Sequence, residues 1–413
     1  MDDIISCIDI GTTKVCAIVA KLDENGNVEI LGRATEPCSG VKKGVIVDID
    51  SVSNALKSCA QKIRALLNID IENVYVNVMG SHVDVFFNKA AVDILRPDRQ
   101  ITSEDVERTL KKVEDVKLPD NVQIIDVIPR QYIVDGCDEI VDPVGMAGVK
   151  LELEADVVVG KITTFNNIIK SLDNANIKVN GFIAEALAVG DLVLSPEEKD
   201  IGAILIDVGG GVTNISVFKN KCLALYDSIP VGGDHITNDI SIGLKVSLND
   251  AEKLKRDYGL ALTSLIDNDH DITINEFSEN TKRTIKVSEV VEIIEARVQE
   301  IFSLCKERLE QEGILNGFNG GIVLAGGGIS YIDGSVQSAK EIFGFPVRIV
   351  SYKALEIKNA EHVTAMATVK YVANRIKSEA KGGGTKNNKP GKQKQKKEYG
   401  FLKKIASFFH GLF

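Results

Sequence analysis

One strand–turn–strand unit occurs twice in this chain, and no other feature limits its fold so strongly. The first copy runs Ile4-Ile5-Ser6-Cys7-Ile8-Asp9-Ile10-Gly11-Thr12-Thr13-Lys14 and continues as Val15-Cys16-Ala17-Ile18-Val19. The second runs Ala203-Ile204-Leu205-Ile206-Asp207-Val208-Gly209-Gly210-Gly211-Val212-Thr213-Asn214 and continues as Ile215-Ser216-Val217-Phe218. Each puts an aspartate at the end of an apolar strand, then glycine and threonine, and each leads to a third strand, Val28–Leu31 or Leu223–Tyr226. A unit repeated at this distance implies two related halves facing one another. With 413 residues the chain also exceeds what one hydrophobic core organises. From residue 1 to about 375, strands alternate with helices between glycine-rich turns, an α/β pattern.

The turns carry the chemistry. Glycine lets backbone N–H groups converge on phosphate oxygens where a side chain would block the approach. Gly11 and Gly209 to Gly211 supply that freedom, Thr12, Thr13 and Thr213 add hydroxyls, and Lys14 adds a positive charge for terminal phosphates. Asp9 and Asp207 would face a bound magnesium ion, which is commonly held through one or two carboxylates, waters and substrate phosphates. One such turn alone is an ordinary strand ending, whereas two in matching contexts read as a phosphate site. A third glycine loop, Gly326-Gly327-Gly328, again follows an apolar strand and could pass beneath a base or ribose. Glu252 and Lys255, three apart on a helix, can present an acceptor and a donor together, or simply form a solvated charge pair. The seven cysteines lack any C-x-x-C pair, and such sites as Ile5-Ser6-Cys7-Ile8 lie in apolar runs, as buried thiols do.

These loops resemble those of the actin superfamily, which includes the sugar kinases and heat-shock chaperone ATPases. Within it the chain is most similar to the bacterial division family FtsA, through Ile128-Pro129-Arg130-Gln131-Tyr132-Ile133-Val134-Asp135-Gly136 and Asp142-Pro143-Val144-Gly145-Met146-Ala147-Gly148. The resemblance implies an actin-like fold of two halves around a cleft for ATP and Mg2+. The first half would take 1–83, 163–200 and about 340–380, interrupted by an inserted subdomain at 84–162. The second would take 201–233 and 313–339, with its own subdomain at 234–312. Nucleotide contacts would come from Asp9 to Lys14, Asp207 to Thr213, Gly232 and Gly233, Glu252 and Lys255, and Gly326 to Gly328. Glu185 would orient a water or serve as a buried structural carboxylate. The family pattern D-x-G-G-G-T-T-D is broken here by Val212 and Asn214, which bears on hydrolysis more than on binding and implies weak ATPase activity at most. Implied partners are the C-terminal peptide of the tubulin-like protein FtsZ, further copies of the chain in a polymer, and other division proteins. Arg297, on the predicted helix 287–311, is the candidate for pairing with that acidic peptide, or else a surface ion-pair partner. A pilus-assembly homologue and a sugar-kinase-type phosphotransferase are the competing readings. A chaperone ATPase would need a substantial domain after residue 380.

Charge is divided unevenly. After Ala380 there are nine lysines and one acidic residue, Glu398, so the tail carries +8 and the body -18. Residues 381–398 contain no large apolar side chain apart from the flanks, which predicts a disordered linker spanning on the order of 25 Å. Residues 399–413 then read as an amphipathic helix. Phe401, Leu402, Ile405, Phe408, Phe409, Leu412 and Phe413 fall on an arc of roughly 160°, opposite Lys403, Lys404, Ser407 and His410. Such a face calls for burial, and an anionic inner membrane fits it. Nucleic acid does not, because the basic stretch lacks interleaved aromatics. With an acidic N-terminus and no run of eighteen apolar residues, the expectation is a peripheral protein on the cytoplasmic face of the membrane at the division site.

Overall fold

The computed structural model describes residues 4–23, 27–276, 282–352, 355 and 362–382. Its frame is a pair of five-stranded sheets of the same design. In the first half the order is Val28–Pro37, Lys14–Leu22, Ile4–Ile10, Asn73–Val78, Lys178–Ala184. In the second it is Cys222–Ile229, Thr213–Lys219, Ala203–Val208, Gly321–Ala325, Val347–Ile349. Each begins as an antiparallel meander of three strands and is extended by two parallel ones. The repeat extends to single hydrogen bonds. The Gly11 N–H donates to the Lys14 carbonyl at 2.9 Å, and the Gly209 N–H donates to the Val212 carbonyl at 2.9 Å.

Both sheets bury both faces, which is why their central strands read as unbroken apolar runs rather than as alternating ones. Helix Ile49–Leu67, capped by Asp48 accepting from the Ser51 N–H, lays Val52, Leu56, Cys59 and Ile63 on the first sheet. Helix Val287–Gln311 buries Val290, Val291, Ile294, Val298, Ile301, Phe302, Cys305 and Leu309 along one stripe in the second half.

The inserted subdomain is an antiparallel sheet ordered Val83–Asp93, Lys150–Lys161, Val122–Val134, Cys137–Ile140, covered by helix Ser103–Glu114. It has its own core around Ile94, Ile101, Val113, Leu151 and Leu153. Beside the insertion point Tyr226 Oη donates to the Val78 carbonyl at 3.4 Å, joining the two halves, and one ion pair ties the insert to the first half. Arg375, on the last helix Val363–Gly382, donates to Asp126 at 2.5 Å, with only 4% of the Asp126 side chain exposed.

One boundary differs from the expectation. The segment from about 340 was assigned to the first half, but Val347–Ile349 pairs in parallel with Gly321–Ala325 and helix Ser335–Phe343 packs its Phe343 against Phe302. A short strand can extend the sheet edge where its backbone groups find partners, so the second half continues to about 350. The chain is back on the first half with Val363. That helix also runs two residues into the expected linker. The rest of 381–398, and all of the amphipathic tail with Phe401 through Phe413, lie outside the described residues. Among those described, no helix is long and apolar enough to cross a membrane.

Candidate functional site

The two equivalent turns meet across a cavity of about 370 Å³ between the halves. Asp9, Gly11, Thr12, Thr13 and Lys14 line one side; Asp207, Gly209 and Gly210 line the other. Gly233, Glu252, Lys255, Gly326, Gly327, Gly328 and Glu185 complete the wall.

Behind that wall the glycine loops are laid backbone on backbone. The Gly328 N–H donates to the Val208 carbonyl at 2.8 Å, Gly233 to Gly209 at 2.9 Å, and Asp234 to Gly210 at 2.8 Å. A Cβ at Gly328 would stand 2.4 Å from the Gly209 oxygen, so no other residue fits without moving the turn. Gly326 adopts a φ of 97°, in the region that favours glycine. On the opposite wall Lys255 Nζ reaches Glu252 Oε2 at 2.6 Å, Thr237 Oγ1 at 2.8 Å and the Gly233 carbonyl at 3.1 Å. Helical spacing alone predicts the pair; the surrounding bonds fix it to the glycine lattice.

Three carboxyls face the cavity, Asp207 and Glu185 buried and Asp9 half-buried. Burial pushes Asp9 up to about 6, against Lys14 and Asn77, which favour its charged form. Burial and then the Asp9 charge push Asp207 up to about 7. Glu185 is raised well above its usual range by burial, then by Asp207 and Asp9. Crowded acids of this kind suit a cation that neutralises them. Two buried amide oxygens close by, Asn77 Oδ1 and Asn214 Oδ1, have no partner among the described residues. Those residues fit a divalent ion approached through water. No three His, Cys, Asp or Glu side chains among the described residues converge as direct ligands, so a fully protein-built cage is absent there.

Three expected contacts fall elsewhere. Thr213 is fully buried and its hydroxyl donates to the Val231 carbonyl at 2.7 Å, so it does not serve the cavity. The reason is register. Asp9 pairs with Cys16 and Asp207 with Asn214, so Lys14 matches Val212 and Thr213 matches the core residue Val15. Gly232 is structural: its N–H donates to His235 Nδ1 at 3.1 Å and a Cβ would meet the Gly210 oxygen at 2.5 Å. Gly211 donates its N–H to Thr12 Oγ1 at 2.9 Å, joining the two turns directly across the cleft. Arg297 resolves to its ion-pair alternative. Its guanidinium holds Asp239 at 2.5 and 2.9 Å and Glu300 at 2.6 Å, leaving the fork committed within the chain.

The wall also contains Asn214, Asp234, Arg256 and Thr364, which were not anticipated. Alternation along the strand after the second turn puts Asn214 on the cleft side, a signal available from the repeat. Arg256 donates to Glu252 Oε1 at 2.8 Å and lies 5.2 Å over the Tyr331 ring, an arrangement no local pattern announces.

Solved structures share this architecture. The PilM-PilN type IV pilus biogenesis complex matches with a TM-score of 0.59 and 14% identity, over 89% of this chain and 98% of that one. MreB 5 of Spiroplasma citri bound to AMPPNP matches with 0.53 and 15%, over 92% and 98%. The fold is therefore actin-like. The family described as Cell division protein FtsA matches residues 204–367, and the SHS2 domain inserted in FtsA matches residues 80–159, the additional antiparallel sheet. The cell division protein FtsA of Bacillus subtilis (strain 168) is 33% identical over 379 residues, 92% of this chain and 86% of its own length. Identity sustained through both halves and the insert separates this chain from actin-like proteins at large: it belongs to the FtsA family of cell division proteins.

Proposed function

We propose that the chain binds ATP with Mg2+ in the cleft, polymerises, and tethers the FtsZ ring to the cytoplasmic face of the membrane through residues 399–413. The observation that carries the nucleotide part is the trio Asp9, Asp207 and Glu185, set beside the glycine turns and Lys14. Polyphosphate would be gripped by Lys14 and the turn amides, and the ion supplies the positive charge that both carboxylates and phosphates lack. Hydrolysis is slow in this reading. A general base must be deprotonated, and the environment of Glu185 favours its acid form, while Val212 offers no hydroxyl.

Support for the tether is the tail's complete apolar face and its lysines. Partial burial of seven large apolar side chains, less the cost of ordering a helix, leaves a few kcal/mol, so single anchors are reversible and a polymer multiplies them. The FtsZ peptide and other division proteins enter through family membership. Electron microscopy on anionic lipid monolayers tests the whole, using intact and 1–398 chains with and without ATP. Filaments on lipid only for the intact chain with ATP support it. Lipid binding by the 1–398 chain equal to that of the intact chain refutes the tether, and filaments indifferent to nucleotide refute the coupling.

A further inference from the structure

The free end of the insert carries an apolar surface that the cleft does not use. Two loops, 94–101 and 141–149, meet there. The Ile94 N–H donates to the Val149 carbonyl at 2.8 Å, the Ile101 N–H to the Met146 carbonyl at 2.8 Å and the Gly148 N–H to the Arg99 carbonyl at 3.0 Å. The Asp135 carboxylate closes the frame, accepting from the Val149 and Lys150 N–H groups at 3.0 and 2.8 Å. These loops are fixed by their backbone bonds, yet they turn five large apolar side chains outward. Val141 is 88% exposed and Leu95 79%, while Val149, Val144 and Met146 lie between 38 and 53%. Single exposed apolar residues are ordinary, but five on one pair of loops mark a surface that something covers.

Location, charge and size all favour residues 399–413, which lie outside the described residues, as the cover. The last helix leaves the first half beside the insert, because its Arg375 pairs with Asp126 on strand Val122–Val134. From Arg375 to Gly382 is about 10 Å of helix, and from Asp126 to Asp135 about 30 Å of strand. With the ion pair between them, Gly382 and the insert's free end stand at most about 50 Å apart. Residues 383–398 reach roughly 53–58 Å when extended, so the tail meets this surface within one chain even at that limit. Val141 is flanked in sequence by exposed Asp138, Glu139 and Asp142, none of which pairs with a cation among the described residues. The tail's apolar arc is bordered by Lys403 and Lys404. The cations nearest Leu95 and Val149 are already engaged, Arg96 with Glu104 at 3.6 Å, Lys150 with Glu152 at 3.0 Å and Arg99 with the Ile94 carbonyl at 2.6 Å. A specific contact between separate molecules takes roughly 20–30 residues a side, far more than this surface offers. A tethered segment needs less, being presented at an effective concentration up to the order of millimolar.

We propose that, off the membrane, residues 399–413 dock their apolar face on the free end of the insert, with Lys403 and Lys404 toward Asp138, Glu139 and Asp142, and that lipid and insert compete for the tail. The inference rests on reading 399–413 as the membrane tether. Lipid takes all seven large apolar side chains of the tail, whereas the insert meets them with five, so an anionic membrane wins when present. Its binding has a second effect. It uncovers the insert, so this apolar surface is offered only by chains already at the membrane.

Vesicle sedimentation and hydrogen exchange test the docking, both at submicromolar protein without nucleotide. The double variant Leu95→Ser, Val141→Ser changes two exposed side chains and no charge. It should bind vesicles of equal parts phosphatidylglycerol and phosphatidylcholine at least about threefold more tightly than the parent, because the docked fraction of tails no longer opposes lipid binding. In the unsubstituted protein, amides of residues 144–149 should exchange at least about threefold more slowly in the intact chain than in the 1–398 chain, and vesicles should bring the intact chain to the 1–398 rate. Vesicle affinity unchanged or weakened in the double variant would overturn the proposal, as would equal exchange in the two chains. Protection that follows protein concentration instead of the tail would overturn it too, by assigning the surface to a second copy. An intact chain that ignores vesicles yet protects 144–149 relative to the 1–398 chain refutes the tether while supporting the docking.

Discussion

Asp207→Asn should stabilise the ligand-free protein, against the usual effect of altering a buried polar side chain. Raising this carboxyl from 3.8 to about 7 means that the folded chain holds its proton where the unfolded chain has released it. Below pH 3.8 both states are protonated and nothing is lost. Between there and about 7 the unfolded chain binds fewer protons, so stability falls with rising pH by about 1.4 kcal/mol per pH unit. The full cost is about 4 kcal/mol at pH 8, of which about 2 kcal/mol accrues between pH 5.5 and 8. Asparagine keeps the size and cannot ionise, so urea denaturation should show the variant roughly 2–4 kcal/mol more stable at pH 8 and much closer to the parent at pH 4.5. Adding Mg2+ and ATP should reverse the order, because the parent regains through the ion what its crowded acids lose, and the variant has less to regain. A parent whose stability is level or rising from pH 5.5 to 8, or a variant no more stable at pH 8, would refute the account of the carboxyl cluster.

Three further outcomes follow from particular contacts. Arg375→Ala leaves Asp126 buried without its partner and should cost about 3–5 kcal/mol, with hydrogen exchange rising first in strand Val122–Val134; replacing both by apolar residues should recover most of the loss. Gly328→Ala drives a methyl into the Gly209 carbonyl and should weaken ATP binding at least about tenfold in a fluorescent-nucleotide titration, through displacement of the turn. Thr213→Val should leave ATP affinity within about twofold while costing about 1 kcal/mol in denaturation, since only the bond to the Val231 carbonyl is lost.

Thr213 also shows how far the sequence could be read. Both turns and the two halves were legible because glycine after an apolar strand, duplicated in a matching context, has few physical meanings, whereas the insert came only from the family resemblance carried by Ile128 to Gly136. The role given to Thr213 failed because residue type was matched without register: counted from the shared turn bond, it occupies the place of Val15 and faces the core. Asn214 was noted only as a departure, although the same count puts it at the cleft. Arg256 over Tyr331 and Arg375 on Asp126 join residues 75 or more positions apart, and no local periodicity encodes such pairs. The edge strand Val347–Ile349 escaped because three residues are too few for a period to emerge.

The bond from Gly211 to Thr12 has a kinetic consequence. Those two groups belong to opposite halves, and one of them, the Thr12 hydroxyl, lies on the cleft wall where a ligand would meet it. Full engagement of the Thr12 hydroxyl then requires that bond between the halves to open. The observed association rate should climb with ligand concentration and level off at the rate of parting, and departure should be limited by the same motion. A cleft latched through one of its own wall groups would exchange slowly in both directions, with a loaded lifetime set by protein motion rather than by ligand affinity.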